Sequence, residues 1–472
     1  MTASLLFHDY ETFGADPKND RPCQFAAIRT NENLEPIEEP KVWFCQPTDD
    51  YLPHPMACLI TGITPQQALA QGMAEPEFIR LIHGQMSQPQ TCTLGYNSLR
   101  FDDEVTRFTL YRNFYDPYER EWQNGNSRWD LIDMVRATYA LRPDGIEWPI
   151  NEETCAASFK LEALSKANNL VHDRAHDALS DVEATIAMAR LIRDRQPKLY
   201  DYFFKLRRKQ AVAQLIDVIN LQPLVHTSSR FPAAQGCTTY VVPLAWHPVN
   251  KNAVIVVDLN GDLTPLLELD GEALIERLYT KTAELEAGQS RLPVKLVHIN
   301  KCPILAPAKT LSPKRAEELG IDRDRCRHNL EQLKAQPQLR EKLLALFSNE
   351  RDFADVDAEE ALYNGFISDA DKATMALVRE SQQPYNLGQL TFKDNRLNTL
   401  LFRYRARYYP QTLSEQEQLR WRQYREEVLM HGARGFGIQA FMQELEQLAQ
   451  ERSDDEKAMA ILQSLYQYAQ NL

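Results

Sequence analysis

Leu5-Leu6-Phe7-His8-Asp9-Tyr10-Glu11-Thr12-Phe13-Gly14 decides the reading of this chain. It is a short apolar run that ends in two carboxylates, Asp9 and Glu11. Side chains on a strand alternate between faces, so residues two apart project together. As a strand, this run sends Asp9 and Glu11 from one face with backbones about 7 Å apart. Oxygens so placed converge on hard divalent cations such as Mg2+. Two ions about 3.5–4 Å apart clamp the attacking and leaving oxygens of a phosphodiester. A lone D-x-E is more often a polar strand end in solvent, so the rest of the chain has to carry the argument.

Working outward, 472 residues allow two to four domains, each with its own core. The apolar fraction (43%) and the charged fraction (25%) are those of an ordinary globular protein. The formal net charge is −13, so bulk charge does not announce a nucleic-acid partner. A DNA-binding surface here has to be a local basic groove on an acidic body. The eight cysteines are scattered without a C-x-x-C pair, which fits reduced thiols and not a disulfide framework or a zinc site. The first apolar run is too short for a signal peptide, and no stretch approaches a membrane span. These features predict a soluble, cytoplasmic protein without a membrane partner.

Residues 24–30, 40–45 and 91–96 read as strands, and Glu75–Met86 has helical periodicity. That mixture predicts an α/β layer domain. Phe101, Val105 and Phe108 recur at helical spacing, which places Asp102 in a first turn. An acid there also complements the helix dipole, worth about 0.3–1 kcal/mol. From Arg107 to Arg142, arginines alternate with aromatics, as a channel for a single strand requires; about half of those aromatics are expected in the core. Further on, Ala175-His176-Asp177-Ala178-Leu179-Ser180-Asp181-Val182 precedes an amphipathic helix marked by Val182, Ile186, Ala189 and Ile192. Asp177 is an N-cap candidate, His176 lies on the loop before it, and Asp181 falls near the end of the first turn. Arg190 to Lys209 carries eight Lys/Arg against two Asp, equally a solvated helix face or a binding surface. Residues 237–248, 252–259 and 294–301 read as strands of a small β-rich domain, and the pattern is helical from about 350 onward.

The ordered set, D-x-E on a first strand, an acid after N-x-x-x-F and then H-x-A-x-x-D, resembles the histidine-containing branch of the DEDD exonuclease superfamily. The matching residues are Asp9, Glu11, Asp102, His176 and Asp181. The resemblance implies a ribonuclease-H-like fold, four acids holding two metal ions, and a histidine as general base. Hard oxygen ligands suit Mg2+, with Mn2+ as a substitute. With L-A-W-H-P, K-L-V-H-I-N-K-C-P (Lys295 to Pro303) and Y-N-G-F-x-S-D-A-D (Tyr363 to Asp371), the whole chain resembles the bacterial exonuclease I family. This implies a ribonuclease-H-like 3′-5′ exonuclease domain at 1–195, an SH3-like barrel at 196–350 and an all-α C-terminal domain at 351–472, together a clamp around single-stranded DNA. The implied reaction is processive 3′-to-5′ hydrolysis to 5′-mononucleotides, in DNA repair and recombination. By the same match Arg107, Tyr118, Trp122, Arg136, Phe159 and Lys160, with Glu11, are strand-contacting positions. Lys160 stands where the family commonly has arginine, so the charge is kept and the bidentate fork lost. Arg142 and Tyr202 match positions that dock the acidic tail of single-stranded-DNA-binding protein. A monomer is expected. The rival readings are an RNA-trimming relative, which leaves everything after the first domain unexplained, and an HD-type phosphohydrolase, which has no use for Asp9-x-Glu11. A non-catalytic single-strand-binding scaffold is the third, and all five catalytic positions being filled speaks against it.

Overall fold

The computed structural model describes residues 3–172, 176–281, 284–286, 288–348 and 355–472. Ala175 of the histidine motif and the expected boundary at 350/351 lie outside the described residues. The chain forms two compact units, and neither is one consecutive segment. The first comprises Met1–Ser127, His172–Glu183 and Phe353–Leu472; the second comprises Arg128–Val171 and Ala184–Asp352.

In the first unit, β1 (Ser4–Thr12), β2 (Pro22–Thr30), β3 (Lys41–Phe44) and β4 (Thr91–Gly95) lie in the order β3-β2-β1-β4. β1 runs antiparallel to β2 and parallel to β4. β1, β2 and β4 are buried along nearly their whole length, which is why they read as apolar runs and not as alternating ones. Asp9 stands opposite Ala26 and Glu11 opposite Gln24, with the register shifting just after Glu11. Such breaks in register are common beside active sites. Gly95 closes β4 against β1: a Cβ there would come 2.6 Å from the His8 carbonyl oxygen. The chain then turns through Asn97, at φ +67°, into the Asp102–Arg112 helix.

Apolar clusters join the segments of this unit. Leu6, Tyr10 and Phe25 of the sheet pack with Phe78, Ile79 and Ile82 of the Glu75–Met86 helix and with Val105 and Leu110. Phe13, Cys23 and Leu52 share a core with Phe441, Leu445 and Leu465 from the last two helices, Ile438–Glu451 and Glu456–Gln470. Phe108, Tyr111 and Phe114 do the same with Met375, Leu397 and Leu400. The C-terminal helices thus complete the core of the N-terminal sheet. A buried ionic hub reinforces the join. The Glu359 carboxylate accepts from Arg21 (2.6 Å), Arg407 (2.6 Å) and Arg434 (2.7 Å), with Arg403 at 3.5 Å.

The second unit contains a five-stranded antiparallel sheet. Its order is Val294–His298, Ala253–Asp258, Thr238–Trp246, Leu224–Thr227 and Ile304–Pro307. The sequence pattern located the first three strands and missed the last two. Each of those has four residues, too few for alternation to show, and they are strands because they pair with each other, Thr227 opposite Ile304. Helices Leu131–Leu141, Leu161–Ala167 and Pro197–Lys205 belong to the same unit.

Candidate active site

Three elements of the first unit bring the expected acids together. β1 presents Asp9 and Glu11, Glu11 almost wholly buried. Asp102 is the first residue of the Asp102–Arg112 helix, and its carboxylate also ties that helix to the sheet: Oδ1 accepts the Tyr10 backbone N–H at 3.0 Å, across 92 residues. Thr106, one turn later, donates to the Asp102 carbonyl at 2.8 Å, which leaves its oxygen to accept from the Tyr10 hydroxyl at 3.1 Å. Behind this junction the fully buried Arg120 donates to Asp103 at 2.7 Å and to Thr93 at 3.2 Å, fixing the helix start to β4.

Asp181 arrives on the Ala178–Arg195 helix. The anchor is Gln24, the β2 partner of Glu11, whose side-chain oxygen accepts the Ala178 N–H at 3.3 Å. Asp177 accepts from Ser180 N–H at 3.2 Å, the N-cap expected from sequence. His176 is exposed and sits at φ +63°, a left-handed conformation uncommon outside glycine. That turn aims its N–H at Asp181 Oδ2, 3.3 Å away. One ligand atom from each of Glu11, His176 and Asp181 lies within 4.8 Å of the others.

The electrostatics follow from crowding. Burial raises the Asp9 carboxyl well above its usual range, and the charges of Asp102, Glu11 and Asp181 raise it further. Burial pushes Glu11 up to about 9, helped by Asp181, Asp102 and Asp177. Burial also raises Asp181, against a hydrogen bond from His172. Carboxylates crowded around Asp9 and Glu11 form a site that asks for positive charge, and hard oxygen donors fit a hard divalent cation. Asp9, Glu11, Asp102 and Asp181 are the residues that would hold it.

The expected strand-contacting residues fall in both units. In the first, Arg107 is buried and its guanidinium pairs with Glu121 (2.8 Å) and Glu104 (2.6 Å) and lies over the Tyr118 ring. Tyr118 is half-buried beside Tyr363, while Trp122 is 63 % exposed. In the second, Arg136 pairs with Asp133 at 2.7 Å and lies over the ring of the buried Phe159. Lys160 is exposed at the N-cap of the Leu161–Ala167 helix. Arg142, also exposed, caps the Leu131–Leu141 helix and donates to the Thr310 carbonyl at 3.1 Å; the half-buried Tyr202 donates to the Leu305 carbonyl at 3.2 Å. Of the other aromatics between 107 and 142, Tyr111, Phe114 and Trp129 are core.

Sequence reasoning missed Gln24, Arg120 and His172. Gln24 and Arg120 carry no local pattern, because each acts only through a partner distant in sequence. His172 had a visible signal, a second histidine four residues before His176.

Acids from one strand and two helices, with a histidine beside them, suit phosphodiester chemistry, and comparison with known proteins gives the class as a nuclease. Residues 6–189 match the family model described as Exonuclease, 207–349 the Exonuclease I SH3-like domain and 356–472 the Exonuclease I C-terminal domain. Exodeoxyribonuclease I of Escherichia coli (strain K12) is 53% identical over 473 residues, covering 100% of this chain and 98% of that protein. The zinc-ion-bound form of the E. coli exonuclease I–single-stranded-DNA complex superposes with a TM-score of 0.94 at 53% identity, covering 100% of this chain and 99% of that one. A complex described as SSB/Exonuclease I with the inhibitor CFAM gives a TM-score of 0.92 at 52% identity, with both chains fully covered. The chain belongs to the exonuclease I family. Its three parts are accordingly an exonuclease domain, an SH3-like domain and a helical C-terminal domain.

Proposed function

We propose that this exonuclease degrades single-stranded DNA from the 3′ end, processively and to 5′-mononucleotides, in DNA repair and recombination. The observation that carries the reading is the convergence of Asp9, Glu11, Asp102 and Asp181 beside His176. The four acids hold two Mg2+ ions, with Mn2+ as a substitute. Bound divalent cations at such a site polarise the phosphate and acidify water. His176 takes the proton from the attacking water as general base: its side chain is exposed, next to Glu11 and Asp181, and held on a turn that its own N–H pins to Asp181. Tyr10 and Gln24 keep the acids in register, so that little reorganisation is left for the reacting state.

Trp122 offers an exposed face on which a base stacks, and Tyr118 a half-buried one, with Arg136 and Lys160 as phosphate partners. Arg107 supports the Tyr118 ring and keeps little of its own charge for DNA. Arg142 and Tyr202 form the docking site for the acidic tail of single-stranded-DNA-binding protein, and the enzyme works as a cytoplasmic monomer. Digestion of 3′- and 5′-labelled single-stranded DNA, with RNA of the same sequence beside it and with or without Mg2+, tests the reading. The expected result is Mg2+-dependent loss of the 3′ label as mononucleotide from DNA alone. Release from the 5′ end, or equal cutting of RNA, would sink it.

A further inference from the structure

Two histidines bracket the Asp181 carboxylate, and only His176 has a part in the reaction so far. His172 Nε2 lies 2.5 Å from Asp181 Oδ1, while the His176 backbone N–H donates to Oδ2. A carboxylate oxygen only accepts, so Nε2 carries the proton in this contact. The His172 side chain is 5 % exposed, whereas His176 stands in solvent. His172 Nδ1 is buried without a hydrogen-bond partner among the described residues, so Nε2 makes the ring's one side-chain hydrogen bond there. The set of donor atoms close enough to share one cation includes Glu11, His176 and Asp181 but not His172. His172 therefore touches the acid and not the place where the cation would sit.

We infer that His172 is a positioning residue: its Nε2–H holds the Asp181 carboxylate in the rotamer that presents its remaining lone pairs to a divalent cation. Asp181 stands in the first turn of its helix with two side-chain torsions to fix, and a donor on each oxygen fixes both. Each oxygen accepts more than one contact, so the grip leaves room for the cation. Partners that orient a metal-binding carboxylate in this way typically cost about 10–100-fold in metal affinity or activity when removed. The inference rests on Asp181 being a metal ligand, as proposed above.

The test is calorimetric titration of Mn2+ into metal-free wild type, His172→Ala, His172→Asn, His172→Gln and Asp181→Asn, with single-turnover pH–rate profiles at saturating Mn2+. His172→Ala and His172→Asn, whose amide is too short to reach Oδ1, are expected to bind Mn2+ about 10–100-fold more weakly. His172→Gln keeps an N–H at the same reach and is expected to stay within about threefold of wild type, against that 10–100-fold scale. At saturating Mn2+ the profiles of these variants should keep the wild-type shape, which a merely destabilised loop would also allow but a lost base would not. Binding of a fluorescent single-stranded oligonucleotide in EDTA reports that each variant is folded. Wild-type Mn2+ affinity in His172→Asn, with affinity lost in Asp181→Asn, overturns the positioning role alone. Equal loss in His172→Gln and His172→Asn, with the ionisation limb of the profile gone, makes His172 a base and overturns it too. Unchanged affinity in Asp181→Asn removes Asp181 from the metal site, and the inference falls with that reading.

Discussion

Replacing Glu359 by glutamine should loosen the join between the C-terminal helices and the N-terminal sheet more than any other single neutral substitution in the first unit. Glu359 is 0 % exposed and is the shared anion of Arg21, Arg407, Arg434 and Arg403. All four guanidinium groups are nearly buried, and the first three approach within 2.7 Å. Glutamine keeps the shape and one acceptor oxygen but supplies no charge. Arg407 retains Asp50 at 2.6 Å and Arg403 retains Asp357 at 2.6 Å, so two arginines keep a counter-ion. Arg21 and Arg434 lose the only carboxylate that an ion pair joins to either of them among the described residues. Breaking a buried pair by removing one partner costs about 3–5 kcal/mol, and two stranded arginines place this case at the upper end. At about 2–4 °C per kcal/mol, the melting temperature should fall by about 10–20 °C. Scanning calorimetry reads the shift, and limited proteolysis should release fragments from the 356–472 segment sooner. Because buried charges are poorly screened, salt should restore little of the loss. A Glu359→Gln protein that melts within about 2 °C of wild type, against the 3–5 kcal/mol expected of a broken buried pair, would refute the hub as a structural tie.

Asp9→Ala and Asp181→Ala should each abolish Mg2+-dependent hydrolysis while single-strand binding in EDTA persists; a gel-based digestion showing substantial activity in either variant contradicts the metal-site reading. His176→Ala should lower the single-turnover rate by about 10²–10⁴-fold, the usual worth of a general base, with Mn2+ affinity largely kept. Glu11→Gln should raise the melting temperature of metal-free protein at pH 7. The folded carboxyl titrates at about 9 against an ordinary value of 4.5, so its contribution to stability is intact below the lower value and drains away as pH rises through the upper one. By pH 7 that amounts to about 3 kcal/mol, at about 1.4 kcal/mol per pKa unit, and the difference between the two proteins should shrink toward pH 5. A variant that melts below wild type in EDTA at pH 7 would refute this. Arg142→Ala should weaken binding of an acidic, aromatic-ended tail peptide, and added salt should weaken it further, while digestion of naked DNA stays unchanged; fluorescence anisotropy with equal affinities for both proteins would exclude Arg142 from the docking site.

How far the chain could be read in advance differs from residue to residue. The pair Asp9 and Glu11 was legible because a strand's period of two is a local property, and the apolar run before it marks the strand. The Asp102 turn and the Asp177 cap were legible for the same reason, since helix starts are written in a few adjacent residues. That Asp102, besides standing in its own helix's first turn, holds the Tyr10 N–H could be seen only in the tertiary structure. Likewise the sequence could not say that four of the six arginines from 107 to 142 pair with carboxylates of the chain itself. Arg107 and Arg120 look like any other basic residues until Glu121 and Asp103 appear beside them.

Sequence alone nominated the candidates for the chemistry, four acids and a histidine, and placed the strand and helices that carry the acids. It also determined the order of the parts, each with its own motifs. The tertiary structure alone decided how those parts share cores. Residues 356–472 complete the packing of the N-terminal sheet through Phe441, Leu465 and Met375, and their ionic hub reaches back to Arg21. It also decided that Gln24 and His172 serve the site. Helical and strand periodicity come from contacts a few residues apart and so are written locally. Burial, charge crowding and hydrogen bonds spanning 92 or 154 residues come into being only when the chain closes on itself.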